Sequence, residues 1–428
     1  MNWVDGNILC CAIKKVNPEK SEMVDLLSAE LSSACFGFGD HLNYAHRRNW
    51  SIIKELKRVI SIKTRLKKML VDQKKKSFRG NFVSYQGYFN TNALSDAFAE
   101  KGMTLCEVPW INGDEKTIFS KNNKLSKKLR TESVAGIIGE EIHELLKKLQ
   151  NLIDDYYNSD RIAGLILPFD CYYIQRIAIK SARKNGIPSM VYLHGLPGVY
   201  SSVDNNQGDY LAVWGEAIRQ EYIKRGVDGK KIIVVGHPQF SGMTSNKTQR
   251  FSFERVVVLT HSLPGGLATD EKNAPRRDGC MAYPWMVEGV LRKLGVTSAL
   301  LRPHPGENKF WYKNVVNSEF YVFDRDPIEK SLSKATLVIG PSSTVWLNAH
   351  KAGVHYQVFE PVLENGKNVI GFDVVAPFNG SDTRLSAAKN SDELLHVLRE
   401  KIVTDTGIFN NWAGEKHDVS KVLDLIRK

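Results

Sequence analysis

The feature that most constrains this chain is a repeating phrase: a short apolar run that stops at a small, polar or acid–base residue, then a stretch of helix length. Ala163-Gly-Leu-Ile-Leu-Pro-Phe stops at Asp170, and Pro188-Ser-Met-Val-Tyr-Leu stops at His194-Gly195. Asp209-Tyr-Leu-Ala-Val-Trp stops at Gly215-Glu216, and Lys231-Ile-Ile-Val-Val at Gly236-His237-Pro238. Continuous apolar runs of this length suit strands buried on both faces, as in parallel sheets. Their alternation with helices predicts an α/β fold with doubly wound, Rossmann-like sheets.

The polar stretch Ser241–Ser252 has little to bury and predicts a domain boundary. Beyond it the phrase restarts with Arg255-Val-Val-Val-Leu-Thr, Ser298-Ala-Leu-Leu-Arg, Tyr321-Val-Phe, Thr336-Leu-Val-Ile-Gly and His355–Phe359. At about 150 residues per domain, 428 residues divide into two, 1–240 and 253–428.

Upstream, Phe82–Phe89 and Thr104–Pro109 are expected strands around a helix Ala93–Lys101, with Gln86, Tyr88 and Asn90 as crevice or capping candidates. Residues 112–130 are polar and Lys-rich and are expected to form a flexible loop. A long amphipathic helix is expected over Glu132–Tyr157. Asn7–Val16 is expected to be a strand and Ser21–Ala34 a helix. Further helices are expected over Tyr173–Asn185, Tyr283–Leu294, Val345–Ala352, Asp392–Val403 and Val419–Arg427.

The formal net charge of +12 favours an anionic partner. Lys54–Arg79 carries eight Lys and three Arg against Glu55 and Asp72 on an apolar helical spacing. It suits an anionic membrane surface, or equally a solvated helix face. Only Phe78 interleaves those charges, too little for base stacking, so nucleic-acid binding is not expected. Six scattered cysteines without a C-x-x-C pair suit a reducing compartment and no zinc site. With no signal-like start and no apolar run near the ~20 residues that span a bilayer, the chain reads as cytoplasmic, soluble or peripheral on the inner membrane.

Ligands of open α/β sheets sit outside the carboxyl ends of the strands, and those ends carry the candidate residues. Ser342, Ser343 and Thr344 lie between a strand and a helix start, where unpaired N–H groups and hydroxyls could hold an anion. A single hydroxyl there would be a helix cap. Arg302-Pro-His304-Pro-Gly-Glu307 offers a cation for phosphate, a rigidly placed imidazole for a departing group, and a carboxylate for sugar hydroxyls. A rigid turn with a surface His is the alternative. His261, Gly265 and Gly266 follow another strand and permit close backbone approach, as an ordinary turn also does. Asp170 and His194 could act on an acceptor hydroxyl, or could cap a helix and sit buried. Glu216 reads as a helix-start residue. Asp324-Arg-Asp326 could hold a metal, but Asp326-Pro327 before a helix reads as an N-cap, so no metal is expected.

These motifs resemble those of GT-B glycosyltransferases, in which two Rossmann-like domains face across a cleft. Asp209–Glu216 with Lys231–Pro238 looks like the end of the first domain in capsule and wall-polymer transferases. His304-Pro305 with Ser342-Ser343-Thr344 is similar to the His-Pro and Ser-Ser/Thr motifs of enzymes with cytidine-nucleotide donors. Those are bacterial sialyl-, polysialyl- and Kdo transferases and, more distantly, CDP-glycerol glycerophosphotransferases, whose His-Gly His194-Gly195 resembles. The resemblance implies a metal-independent transferase without a cofactor. It would move a CMP-activated acidic sugar to an anionic glycan or lipid-linked acceptor of the bacterial surface. His304 would contact the donor phosphate, Ser342 and Ser343 would hold it, and a first-domain carboxylate, Asp170, would act on the acceptor. Asp170's surroundings do not match the acidic sialyltransferase motif, which leaves the base and the stereochemical outcome open. A CDP-glycerol-type or UDP-sugar donor, or a non-catalytic binding protein, fits the same scaffold.

Overall fold

The computed structural model describes residues 4–35, 81–86, 92–111, 115–129, 132–158, 161–196, 207–243, 249–260, 274–304, 307, 309–364, 366–369 and 373–426. The basic stretch 54–79 and the candidates His261, Gly265 and Gly266 lie outside them. So do Tyr88 and Asn90.

The α/β class with two parallel sheets is what the chain forms. The first sheet contains β1 (Phe82–Tyr85), β2 (Thr104–Glu107), β3 (Ile162–Leu167), β4 (Ser189–Tyr192), β5 (Tyr210–Val213) and β6 (Ile232–Val234) in the order β2-β1-β3-β4-β5-β6. The ladders β1–β2, β1–β3, β4–β5 and β5–β6 are parallel. The second sheet contains β7 (Val256–Leu259), β8 (Ala299–Arg302), β9 (Tyr321–Phe323), β10 (Leu337–Gly340), β11 (Tyr356–Phe359) and β12 (Ala387–Ala388). Its order is β12-β11-β10-β7-β8-β9, and its ladders are parallel throughout. Counted from β7, this is the 3-2-1-4-5-6 order of a dinucleotide-binding sheet. All four residues of β4, β7, β10 and β11 are buried, which is why their sequences are mostly apolar and not alternating, with buried Ser189 and Gln357 as the polar exceptions.

The chain divides into two compact units. One comprises Gly6–Leu167, Cys171–Ser189 and Ile426–Lys428, and the other Met1–Asp5, Pro168–Asp170 and Met190–Leu425. In the first unit, helices Lys116–Leu129, Glu140–Tyr157 and Tyr173–Lys184 share one apolar cluster with Val24, Leu27 and Leu31. In the other, residues 408–418 lie against β4–β6. Ala413 O accepts from His237 N at 2.7 Å, Val235 O accepts from Asp418 N at 2.7 Å, and His417 Nε2 meets Tyr192 Oη at 2.8 Å.

Several expectations are corrected. Residues 4–16 form a helix, not a strand; Cys10 and Ile13 are buried while Cys11 and Ala12 face solvent, a helical spacing. The loop expected over 112–130 contains the helix Lys116–Leu129, whose Ile118, Leu125 and Leu129 pack inward beneath a lysine-rich face. The expected helix Glu132–Tyr157 is two helices, Val134–Ile137 and Glu140–Tyr157, with Gly139 as the second N-cap. The helix expected from Tyr283 begins at Ala274 and runs through Pro284 to Lys293.

Candidate active site

In the second sheet the chain reverses direction between β7 and β10, and the crevice at such a reversal lies outside the carboxyl ends of those two strands. Thr260 ends β7, the loop from Pro303 to Glu307 ends the neighbouring β8, and Gly340 to Thr344 ends β10. Sheet order thus brings His304 and Ser342–Thr344 to the same edge of one sheet.

A buried carboxylate organises the β7–β8 side. Glu307 Oε2 accepts from the backbone N–H of His304 at 2.8 Å and from the hydroxyl of Thr260, and Oε1 accepts from Tyr312 Oη at 2.6 Å. Thr260 Oγ1 in turn accepts from His304 N at 2.9 Å. Tyr312, on the helix Lys309–Val315, is buried beside this carboxylate, and burial with the Glu307 charge pushes its phenol well above the ordinary range. Glu307 therefore holds three elements together; its sequence assignment as a sugar ligand gives way to a positioning one. His304 itself is exposed, and the partial shielding of its ring lowers its pKa below the ordinary histidine value.

Arg302 is likewise engaged inside the protein. Its Nη1 donates to Asp324 Oδ2 at 2.8 Å, to Asp326 O at 2.6 Å and to Ser331 Oγ at 3.3 Å, tying β8 to the end of β9. Asp326 pairs with Lys330 at 3.0 Å, and the N-cap of the helix Ile328–Lys334 is Pro327, one residue beyond the expected cap. Among the described residues, no group of three His, Cys, Asp or Glu side chains is arranged to hold a metal ion.

On the β10 side the three hydroxyls differ. Ser343 Oγ accepts from Val345 N at 3.2 Å and so satisfies the first N–H of the helix Val345–Lys351, whose N-cap residue is Thr344. Ser342 is exposed and Thr344 partly so, and among the described contacts neither hydroxyl bonds to the protein. The Ser342 N–H, expected to face an anion, donates to Glu360 Oε1 at 2.5 Å. Glu360 is buried at the end of β11 and was not read from the sequence, although it follows the strand Tyr356–Phe359 as other site residues follow theirs. Gly340 is required here, since a Cβ would meet Tyr356 Oη at 2.3 Å while that hydroxyl donates to Pro341 O at 2.6 Å. The helix behind the serines is pinned by Phe409, which stacks on His350 at 3.6 Å and on Trp346 at 4.6 Å.

Two first-sheet candidates occupy separate settings. Asp170 is fully buried, and its Oδ2 accepts from Gln207 N at 2.6 Å and Gly208 N at 3.3 Å, so it shapes the loop before β5. His194 Nδ1 lies 2.8 Å from Pro168 O, which can only accept. Nδ1 therefore carries the proton, and Nε2 is the basic nitrogen of the neutral ring. Burial lowers its pKa, against the Pro168 hydrogen bond that raises it. A neutral imidazole with a fixed tautomer is suited to accept a proton. Glu216 pairs with Arg219 and Gln220 at the start of its helix, a helix-start residue as read.

No family model matches the sequence, and no curated protein sequence matches it. Solved structures do resemble the fold. UDP-GlcNAc 2-epimerase from Methanocaldococcus jannaschii is 12% identical with a TM-score of 0.44, covering 80% of this chain and 98% of that one. MurG from Acinetobacter baumannii is 11% identical with a TM-score of 0.44, covering 81% and 97%. Anabaena Alr3699/HepE, solved with UDP and glucose, is 14% identical with a TM-score of 0.39, covering 82% and 98%.

Proposed function

We propose that the chain is a metal-independent GT-B glycosyltransferase that uses a nucleotide-activated sugar. Its donor is a CMP-linked acidic sugar, held at the carboxyl edge of the second sheet. The observation that carries the reading is the reversal between β7 and β10, which sets His304 and the hydroxyls of Ser342 and Thr344 on one strand edge. In this reading the Ser342 and Thr344 hydroxyls donate to donor phosphate oxygens. An N–H of His304 donates to the charge that develops as the nucleotide departs. The Ser342 N–H is held by the Glu360 carboxylate and takes no part in holding the donor. Arg302 and Ser343 act through the loops they hold.

The acceptor belongs to the half 1–240, where His194 is the better proton acceptor and Asp170 the residue that shapes its surroundings. The enzyme would work in the cytoplasm, with the basic stretch 54–79 as its hold on an anionic membrane, and deliver the sugar to a surface-polysaccharide acceptor.

The test is thermal and urea unfolding with and without CMP. A ligand at 100 times its dissociation constant stabilises by about 2.7 kcal/mol. CMP should raise the unfolding temperature and Ser342→Ala should reduce that rise. No shift with CMP at millimolar concentration, or an equal shift in the variant, would overturn the assignment. A larger shift with UDP than with CMP would move the donor to a uridine nucleotide.

A further inference from the structure

The two edges of the second sheet, β12 and β9, differ in kind. On either side of β12, Ser386 N donates to Thr404 Oγ1 at 3.1 Å and Lys389 N to Glu393 Oε2 at 2.8 Å, so side chains close off that edge. At β9, Ala299 N donates to Phe320 O and Asp324 N to Leu301 O, each at 2.9 Å. Phe320, Val322 and Asp324 therefore turn their backbone groups toward β8, and Tyr321 and Phe323 turn theirs outward. Tyr321 N is taken by Asn317 O at 2.9 Å. Tyr321 O and both backbone groups of Phe323 meet no partner among the described residues.

An open edge is ordinarily guarded by a charge or proline in the strand, by a bulge or by a covering segment. Tyr321-Val-Phe323 is short, but it has no charge, no proline and an unbroken register with β8. Tyr321 Oη donates to Pro284 O at 2.6 Å, so its ring lies against the helix Ala274–Lys293. Val322 points to the opposite face of the sheet and is 59% exposed. Beside Pro284, Trp285 is half-exposed, and its Nε1 donates at 3.0 Å to Val315 O, five residues before Phe320 leads into the strand. Apolar surface is thus open on both faces of this edge.

The flanking charges decide what fits there. Glu319 and Arg325 are both exposed, and neither side chain has an ion pair or hydrogen bond among the described residues. They stand three residues to either side of Val322. A second copy laid antiparallel, Val322 against Val322, brings Tyr321 opposite Phe323 and Glu319 opposite Arg325, each twice. In that register the outward residues face each other, and each Phe323 N–H donates to Tyr321 O of the other copy, as an antiparallel ladder requires. Opposite charges directly across such a pair stabilise it and like charges oppose it. A shift of two residues loses both charge pairs, and an in-register parallel strand sets Glu319 against Glu319.

We propose that the chain is a two-fold dimer in which the β9 strands of two copies pair antiparallel about Val322. The pairing joins their six-stranded second sheets into one, with Trp285 and Val315 of both copies beside the axis. This inference does not rest on the transferase reading.

The test is sedimentation equilibrium of the full chain from about 1 to 100 μM, the range in which small interfaces dissociate. The wild type should be a dimer at the upper end. Glu319→Arg and Arg325→Glu each set like charges across the axis and should weaken the dimer about ten-fold or more. Val322→Lys, which places two ammonium groups on the axis, should do the same. The exchange Glu319→Arg/Arg325→Glu restores both pairs and should return the dissociation constant to within about three-fold of wild type. Far-UV circular dichroism like that of the wild type establishes that each variant is folded. A wild-type chain that is monomeric at 100 μM overturns the proposal. So does a dimer that none of the single variants weakens, or a charge exchange that associates no better than the single variants.

Discussion

The carboxylate of Glu307 accepts the backbone N–H of His304 at 2.8 Å, three residues back along the same loop. With Thr260 and Tyr312 on the same carboxylate, this contact fixes where the β8 loop leaves the sheet. Glu307→Ala leaves three donors without that acceptor, two of them in buried residues. Removing one partner of a buried hydrogen bond costs about 1–3 kcal/mol. A loss of about 3 kcal/mol in urea unfolding is expected, together with a smaller CMP-induced shift. Tyr312→Phe removes a single donor and should cost about 1 kcal/mol. If Glu307→Ala weakens CMP binding no more than Tyr312→Phe does, the carboxylate is not what places His304.

A second prediction concerns acid. His237 is wedged against Trp214 and Phe240, and burial, with the charges of His417 and Lys351, pushes its pKa down to about 3. His355 is stacked on Phe251, and burial pushes its pKa down to about 4. In the unfolded chain both titrate near pH 6.5. Between about pH 6.5 and 4 the unfolded state therefore binds more protons, so stability is highest above that window and falls as pH drops through it. Each imidazole contributes up to about 1.4 kcal/mol per pH unit. Glu30 has the opposite sign: its pKa of about 7 in the fold lies above its unfolded value, so its contribution is lost as pH rises through 7. Urea midpoints should fall from pH 6.5 to 4.5 with a shallower slope in His355→Asn, and Glu30→Gln should gain more at pH 8 than at pH 5. Parallel pH curves for wild type and His355→Asn would refute the first part.

These two settings show what could be read in the sequence and what could not. Buried parallel strands leave a largely apolar run that needs no partner to be recognised, so β3 to β6, β7, β8, β10 and β11 were legible, and with them the position of His304 and Ser342 at strand ends. Helices whose apolar positions are sparse were not: Ile118 and Leu125 stand a full two turns apart among lysines, and that spacing reads as a loop until helix Glu140–Tyr157 supplies the surface they bury against. The helix expected over Tyr283–Leu294 starts earlier, at Ala274, and continues through Pro284 to Lys293. The roles of Arg302, Glu307 and Ser343 depend on partners 22, 47 and 2 residues away. The bond of Ser343 and those of Glu307 to His304 and Tyr312 are local, but the reach of Glu307 to Thr260 and of Arg302 to Asp324 depends on the fold. Glu360 acquires its role from a backbone N–H on a different strand end, which no local pattern encodes.

A third prediction addresses the C-terminal segment. Gly236 has a φ of +77°, and a Cβ on it would lie 2.1 Å from Lys416 O. Alanine there meets both a left-handed backbone, which costs about 1–2 kcal/mol, and the carbonyl of a packed segment that would have to shift. Gly236→Ala should lower stability by about 3 kcal/mol and detach residues 408–418 from β6, seen as faster amide exchange at His237 and Asp418. Exchange at those two amides unchanged in a folded variant would show that the segment is held elsewhere.

The last prediction separates two adjacent serines. Ser343 Oγ accepts from Val345 N, so it satisfies one of the N–H groups that a helix start leaves unpaired. Loss of such a cap costs about 1 kcal/mol. Ser342 has an exposed hydroxyl and holds the loop through its backbone N–H to Glu360, a bond that alanine keeps. Ser343→Ala should therefore lower the urea midpoint and leave the CMP-induced increment in stability near its wild-type size. Ser342→Ala should leave the midpoint unchanged and reduce that increment, by about 1 kcal/mol for one lost hydrogen bond and up to about 3 if that bond is to a charged phosphate. The reverse pattern, with Ser343→Ala losing the increment at unchanged midpoint, would place the donor phosphate against the helix start and away from the exposed hydroxyl of Ser342.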